Sequence, residues 1–204
     1  MSKLNFDQIK FFTREDKPYG LSYGEWSAKW WQWLLSIPRT TNPAFDSTGQ
    51  NALINQREQH VFFLCQTYEG VESVPSRKIT ISRNKGVFLP IINWVSLMEH
   101  DGKTDQELLN LARERMDVVA NLEIKINGIT VREGLEKYRF LSPFFDAHLP
   151  EDNIIGIAPG KRRGISDGYW LFLKPQNDEV TLTSFGSCSS GATKIGVDYQ
   201  IDFV

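Results

Sequence analysis

Four carboxylates carry the strongest claim to chemistry in this chain. Asp146, Glu151, Asp152 and Asp167 fall in or beside residues 140–166, a segment rich in proline and glycine that reads as loops. Two carboxylates held roughly 5–10 Å apart across a cleft can divide the work of acid and base in glycoside hydrolysis. Tyr169 and Trp170 follow Asp167 closely and would offer a sugar ring a stacking platform. The plainer reading is that such acids are solvated or close turns, since Asp side chains bond nearby backbone. The candidate ligand-binding set is Asp146, His148, Asp152, Asp167, Tyr169 and Trp170, and no residue is assigned as catalytic.

Other chemistry is thinner. The histidines are His60, His100 and His148. Asp146-Ala147-His148 offers two metal ligands, short of the three or four that a zinc site needs. No metal and no cofactor is expected. Cys188 sits among small residues in GSCSSG, which resembles an anion-binding nest but lacks a Cys/His partner pattern. Neither a G-x-S-x-G elbow nor a Walker A or dinucleotide fingerprint occurs. Lys161-Arg162-Arg163 lies between two glycines and reads as a solvated loop tip. With a net charge of −2, the chain offers nucleic acid no general attraction.

These residues must be positioned by a small set of elements. Residues 20–38, GLSYGEWSAKWWQWLLSIP, place four of the six tryptophans within eight positions. Ser22 and Glu25 form a capping box, and Pro38 ends the run, so a helix over about 22–37 is expected. Its apolar arc is too wide for a surface helix, which makes Trp26, Trp30 and Trp33 structural core residues. Glu25 and Lys29 are spaced for an ion pair. Buried indoles need acceptors. Asp46, Thr48, Asn51, Asn55 and Gln56 of the long loop 38–59 are expected to supply them and to satisfy buried backbone. A second helix over about 104–120 opens on Thr104 and Glu107, another capping box. Arg115 falls on its apolar side and either snorkels or pairs with an acid.

The rest is β-rich. Residues 60–66 (HVFFLCQ) form a continuous apolar run that suits a doubly buried strand. Residues 77–82 alternate, and Asn84-Lys85-Gly86 would turn them back onto residues 87–93 as a hairpin, with Pro90 at an edge or bulge. Asn127-Gly128 between apolar alternations is the strongest short hairpin signal, and residues 132–139 can hold a helical turn. Residues 168–174, 179–185 and 194–204 are further strands. The fold class is mainly β (α+β): an antiparallel β-sandwich or jelly-roll-like core with two main helices. One globular domain is expected over 1–204, with an irregular lead-in at 1–19.

Several segments occur together in a familiar order: the tryptophan run, NPAFDSTG, VFLPIIN, YRFLSPFF with PEDN, DGYWLFLKP and VDYQIDFV. In these the chain resembles a broad prokaryotic group for which no activity is established. Members look exported and carry cysteines near two positions where this chain has Ala52 and Ile79. That departure fits an intracellular variant. The N-terminal residues have no apolar signal-like core, and Cys65 and Cys188 have no metal spacing, so free thiols and a cytoplasmic location are expected.

The resulting expectation is a non-enzymatic β-sandwich domain that binds a small molecule, a glycan or a protein, with carbohydrate the favoured ligand class. The alternatives are a carboxylate-dependent hydrolase using the acids of 146–167 and an oligomerising protein with the tryptophan helix at a subunit interface. No membrane insertion and no nucleic acid is expected.

Overall fold

The computed structural model describes residues 11–68, 74–189 and 194–204. Two five-stranded sheets and two helices account for most of the described chain. Helix α1 spans Tyr23–Leu35, and its capping box is complete: Glu25 N donates to Ser22 Oγ, and Ser22 N donates to Glu25 Oε2. Trp26, Trp30, Trp31 and Trp33 are all buried. Glu25 is committed to the cap, so Lys29 pairs instead with Glu58 at 2.8 Å. Asn42 closes the far end of the helix by donating to the carbonyls of Leu34 and Ile37. Helix α2 spans Asp105–Asp117 and achieves half a capping box. Thr104 Oγ1 accepts from Glu107 N, while the Glu107 carboxylate accepts from Lys103 N.

The first sheet holds β1 (Val61–Phe63), β3 (Gly86–Leu97), β6 (Arg139–Leu141), β7 (Phe145–Leu149) and β8 (Gly160–Leu173). The second has the order β2 (Ser76–Ile81), β10 (Lys194–Phe203), β9 (Val180–Cys188), β4 (Val119–Ile126), β5 (Ile129–Val131). Most neighbours are antiparallel, but β1 runs parallel to β3 and β2 parallel to β10. The sheets are therefore mixed rather than purely antiparallel.

The hairpin expected from residues 77–82 and 87–93 does not form; the two runs enter different sheets. The reason is burial. Strand β2 alternates buried and exposed and suits an edge with one wet face. Strand β3 is buried almost throughout and takes an interior place. The turn after β2 thus becomes a corner between sheets. Pro90 sits at a register shift in β3, beyond Phe88, where pairing with β1 ends, so its missing N–H breaks no ladder there. The Asn127-Gly128 hairpin forms as expected between β4 and β5, and a helical turn covers Leu135–Tyr138.

Residues 140–166 are not mainly loop. Strand β7 and the first part of β8 lie within them, and Lys161, Arg162 and Arg163 belong to β8 rather than to a loop tip. Helix α1 packs on β6, β7 and β8, and α2 on β3 and β8. Phe88, Trp170 and Phe172 meet the aromatics of α1; Ile165, an odd number of residues from Phe172 and so on the other face, meets Leu108 and Ala112 of α2. Gly186 of β9 lets the second sheet close onto β3, because a Cβ there would lie 2.7 Å from the Ile92 side chain. One cluster of buried apolar residues runs from α1 through both sheets.

Candidate functional site

The predicted acids do not converge. Asp146 and His148 point outward from β7, and Asp146 pairs with Lys161 at 2.9 Å. Asp146 stands opposite Arg163, four residues along β8 from Asp167, about 13 Å at the usual strand rise. Asp152 is exposed and fastens the chain after α1: its carboxylate accepts from Thr40 N and its carbonyl from Arg39 N. Glu151 is exposed in the same turn. Asp167 is buried and ion-paired with Arg139 at 2.7 Å, and Arg139 also binds Asp117. That network clamps the end of α2 to the first sheet. Tyr169 and Trp170 are buried on opposite faces of β8, with Trp170 stacked on Phe88. They offer no exposed platform for a sugar ring. Asp146, Glu151 and Asp152 thus match the plainer reading of solvated or turn-closing acids, and neither the alternative acid–base site of residues 146–167 nor the stacking platform of Tyr169 and Trp170 forms.

Of the two tasks expected of the loop 38–59 side chains, Asp46 and Gln56 perform the pairing of backbone groups, but the indoles find other acceptors. Backbone carbonyls take the indole N–H groups: Pro18 from Trp26, Leu64 from Trp30 and Ile54 from Trp33. Asp46 instead accepts from Thr48 and Asn51, and Gln56 from Phe63 N. Arg77, at 1% exposure, reaches in from β2 and donates to the carbonyls of Asp46 and Cys65 and to the Tyr199 hydroxyl. Tyr199 donates in turn to the Cys65 carbonyl at 2.7 Å. Burial pushes the Cys65 thiol above its ordinary range, against the pull of the Arg77 charge. This cluster fixes the backbone at Cys65, immediately before the residues that matter most.

Beyond Phe88, β3 loses β1 as a neighbour, and the chain following β1 diverges from it. A cavity of about 330 Å³ is lined from both sides of that split. Gln66, Thr67 and Tyr68 contribute from the chain after β1, and Pro90 and residues 92–95 from β3. Trp30, Trp31 and Leu34 come from α1, Arg115 and Met116 from α2, and Cys188 and Ile195 from the second sheet. The volume is at the lower end of small-ligand pockets, which are mostly apolar with a few placed polar groups.

The lining carries such groups. Trp31 Nε1, Gln66 Oε1, Thr67 Oγ1, Asn93 Nδ2 and Trp94 Nε1 are buried polar atoms without a hydrogen-bond partner in the protein. A buried polar atom left unpaired costs about 1–3 kcal/mol. Five among the residues of one cavity are a concentrated demand for an occupant. The Arg115 guanidinium lies 4.6 Å from the Trp94 ring centre, so Arg115 snorkels over an aromatic face rather than pairing with an acid. His100 and Asp101 also line the cavity. Among the described residues, no group of three or more His, Cys, Asp or Glu is placed to hold a metal.

Sequence reasoning missed most of this lining. Asn93 reads as the last residue of one apolar strand and Gln66 as the last of another, and Trp94 and Thr67 just beyond them carry no assignment. The available signal was that two apolar runs both finish on carboxamides. Cys188 lies at the end of β9 rather than in a loop, and residues 190–191 of the GSCSSG nest lie outside the described residues. Both cysteines are free thiols.

No family model matches the chain, and no curated protein matches it. The chain has a likeness to the one described as "Structure of PbICP-C in complex with falcipain-2", at 7% identity and a TM-score of 0.27, over 71% of this chain and 99% of that one. At that TM-score the likeness carries no argument. No helix among the described residues is long and apolar enough to cross a membrane.

Proposed function

We propose that this chain is a non-enzymatic binding domain whose site is the cavity between α1, the free part of β3 and the chain after β1. The observation that carries the reading is the set of five unpartnered buried polar atoms on residues of that one cavity. An apolar wall with few polar groups favours a largely apolar small molecule. A carbohydrate would need a denser polar lining, and the aromatic platform expected for it is buried. The hydrolase alternative lacks a cleft holding its acids together. The interface alternative lacks exposed tryptophans on α1, since all four are at most 6% exposed.

A neutral environment-sensitive dye, prodan, tests the reading without presuming a charged ligand. The expected result is one-to-one binding with enhanced, blue-shifted emission. Val118 lines the cavity and is 48% exposed, so Val118→Trp can narrow the entrance without disturbing the core. That variant should weaken dye binding. No binding, or binding indifferent to Val118→Trp, overturns the proposal.

A further inference from the structure

We infer that the occupant is an apolar acid, with its carboxylate held by Arg115 where it stacks on Trp94. This rests on the ligand-binding reading above and adds the chemical class. Donors decide it first. Trp31 Nε1 and Trp94 Nε1 can only donate, and Asn93 Nδ2 also donates. Gln66 Oε1 only accepts, and the Thr67 hydroxyl does either. The Gln66 amide is fixed in orientation, because its Nε2 donates to Ile91 O and Ser184 Oγ. Unpartnered donors thus outnumber acceptors, and the complementary ligand is rich in acceptor oxygen.

Charge decides the rest. Arg115 is exposed, stacks on Trp94, and has no ion-pair or hydrogen-bond partner among the described residues. The acid beside the cavity, Asp101, is already engaged: it accepts from Leu97 N at 2.8 Å and lies 3.9 Å from His100. Asp101 keeps its negative charge, and Arg115 is the charged side chain of this lining left without a partner among the described residues. Arginine binds carboxylate through charge-assisted hydrogen bonds roughly twice as strong as neutral ones. Leu34, Ala44, Ile92, Val95, Met116 and Ile155 belong to the apolar part of the lining, which suits a hydrocarbon body. An amine would face the guanidinium, and an alcohol would leave it unpaired.

Three probes with one tail separate the head groups: decanoate, decanol and decylamine, each titrated below its aggregation limit and followed by tryptophan fluorescence. Decanoate should bind at least tenfold tighter than decanol, about 1.4 kcal/mol, and decylamine should bind least. In Arg115→Gln most of the advantage of decanoate should disappear while decanol is unchanged, because the charge-assisted hydrogen bonds are lost. Arg115 is a surface residue of α2, and an unchanged near-ultraviolet circular dichroism spectrum would confirm that the variant folds. Equal binding of decanoate and decanol, or an Arg115→Gln variant that keeps the preference, overturns the inference. If prodan binds while decanoate shows no preference, the head-group assignment alone fails. If prodan, decanoate and decanol all fail to bind, the cavity reading fails with it.

Discussion

The indole N–H of Trp30 donates to the carbonyl of Leu64 at 2.7 Å. This bond joins the middle of α1 to the backbone two residues before Gln66, and so ties the tryptophan helix to the wall of the cavity. Trp30 also meets Trp170 edge-on, with ring centres 5.2 Å apart. Trp30→Ala should cost about 3–5 kcal/mol in urea unfolding, as truncations of large core aromatics do. Trp30→Phe should cost less, since it keeps most of the packing and loses the hydrogen bond. A loss near zero for the alanine variant would mean that the residue faces water.

The Asp167–Arg139 pair gives a second expectation. The Asp167 side chain is 3% exposed and that of Arg139 is 28% exposed. Removing the guanidinium leaves a buried carboxylate unpaired, so Arg139→Met should destabilise by about 3 kcal/mol, the lower end for a broken buried pair. Adding Asp167→Asn should recover part of that loss. Equal stability of the single variant and the wild type would refute the placement of Asp167.

Acid should loosen the loop after α1. Asp46 is partly buried, which raises its pKa, but hydrogen bonds from Asn51 N and from the Thr48 hydroxyl and N, with the Arg77 charge, outweigh that and lower it. A carboxylate whose folded pKa is depressed contributes stability above its unfolded value of about 3.9, lost as pH falls through the folded value. The urea midpoint should stay level from about pH 7 to 5 and fall below about pH 4. Asp46→Asn should flatten part of that fall. A midpoint that rises on acidification would contradict the assignment.

The two thiols should separate kinetically. Cys65 is 2% exposed and its thiol is held above its ordinary range by burial, whereas Cys188 is partly exposed at the cavity. A thiol reagent should label Cys188 in the native protein and reach Cys65 only after unfolding. Rapid labelling of Cys65 in the native state would rule out its placement.

Local signals in the sequence were reliable where one element sufficed to state them. The Ser22–Glu25 box, the Asn127-Gly128 hairpin and the bulge at Pro90 all depend on a few neighbouring residues, and each lies where the sequence places it. Strand partnership was not legible. The Asn84-Lys85-Gly86 turn looks alike whether the chain folds back on itself or passes to another sheet, and only the burial of β3 decides between them. Strand β7 was hidden because Phe145, Ala147 and Leu149 alternate between Pro143 and Pro150, in a stretch punctuated by proline and glycine. The cavity was the least legible part. It arises where β1 and β3 part and is finished by side chains from α1, α2 and β9, a convergence that no single segment encodes.

The central claim is that the cavity binds a small apolar molecule, and Cys188 sits in its wall to report on that directly. The measurement is the alkylation rate of Cys188 with and without prodan. The account predicts a fall of roughly tenfold at ten times the dissociation constant, as an occupied site excludes the reagent. An unchanged rate with dye bound would place the dye elsewhere and contradict the claim.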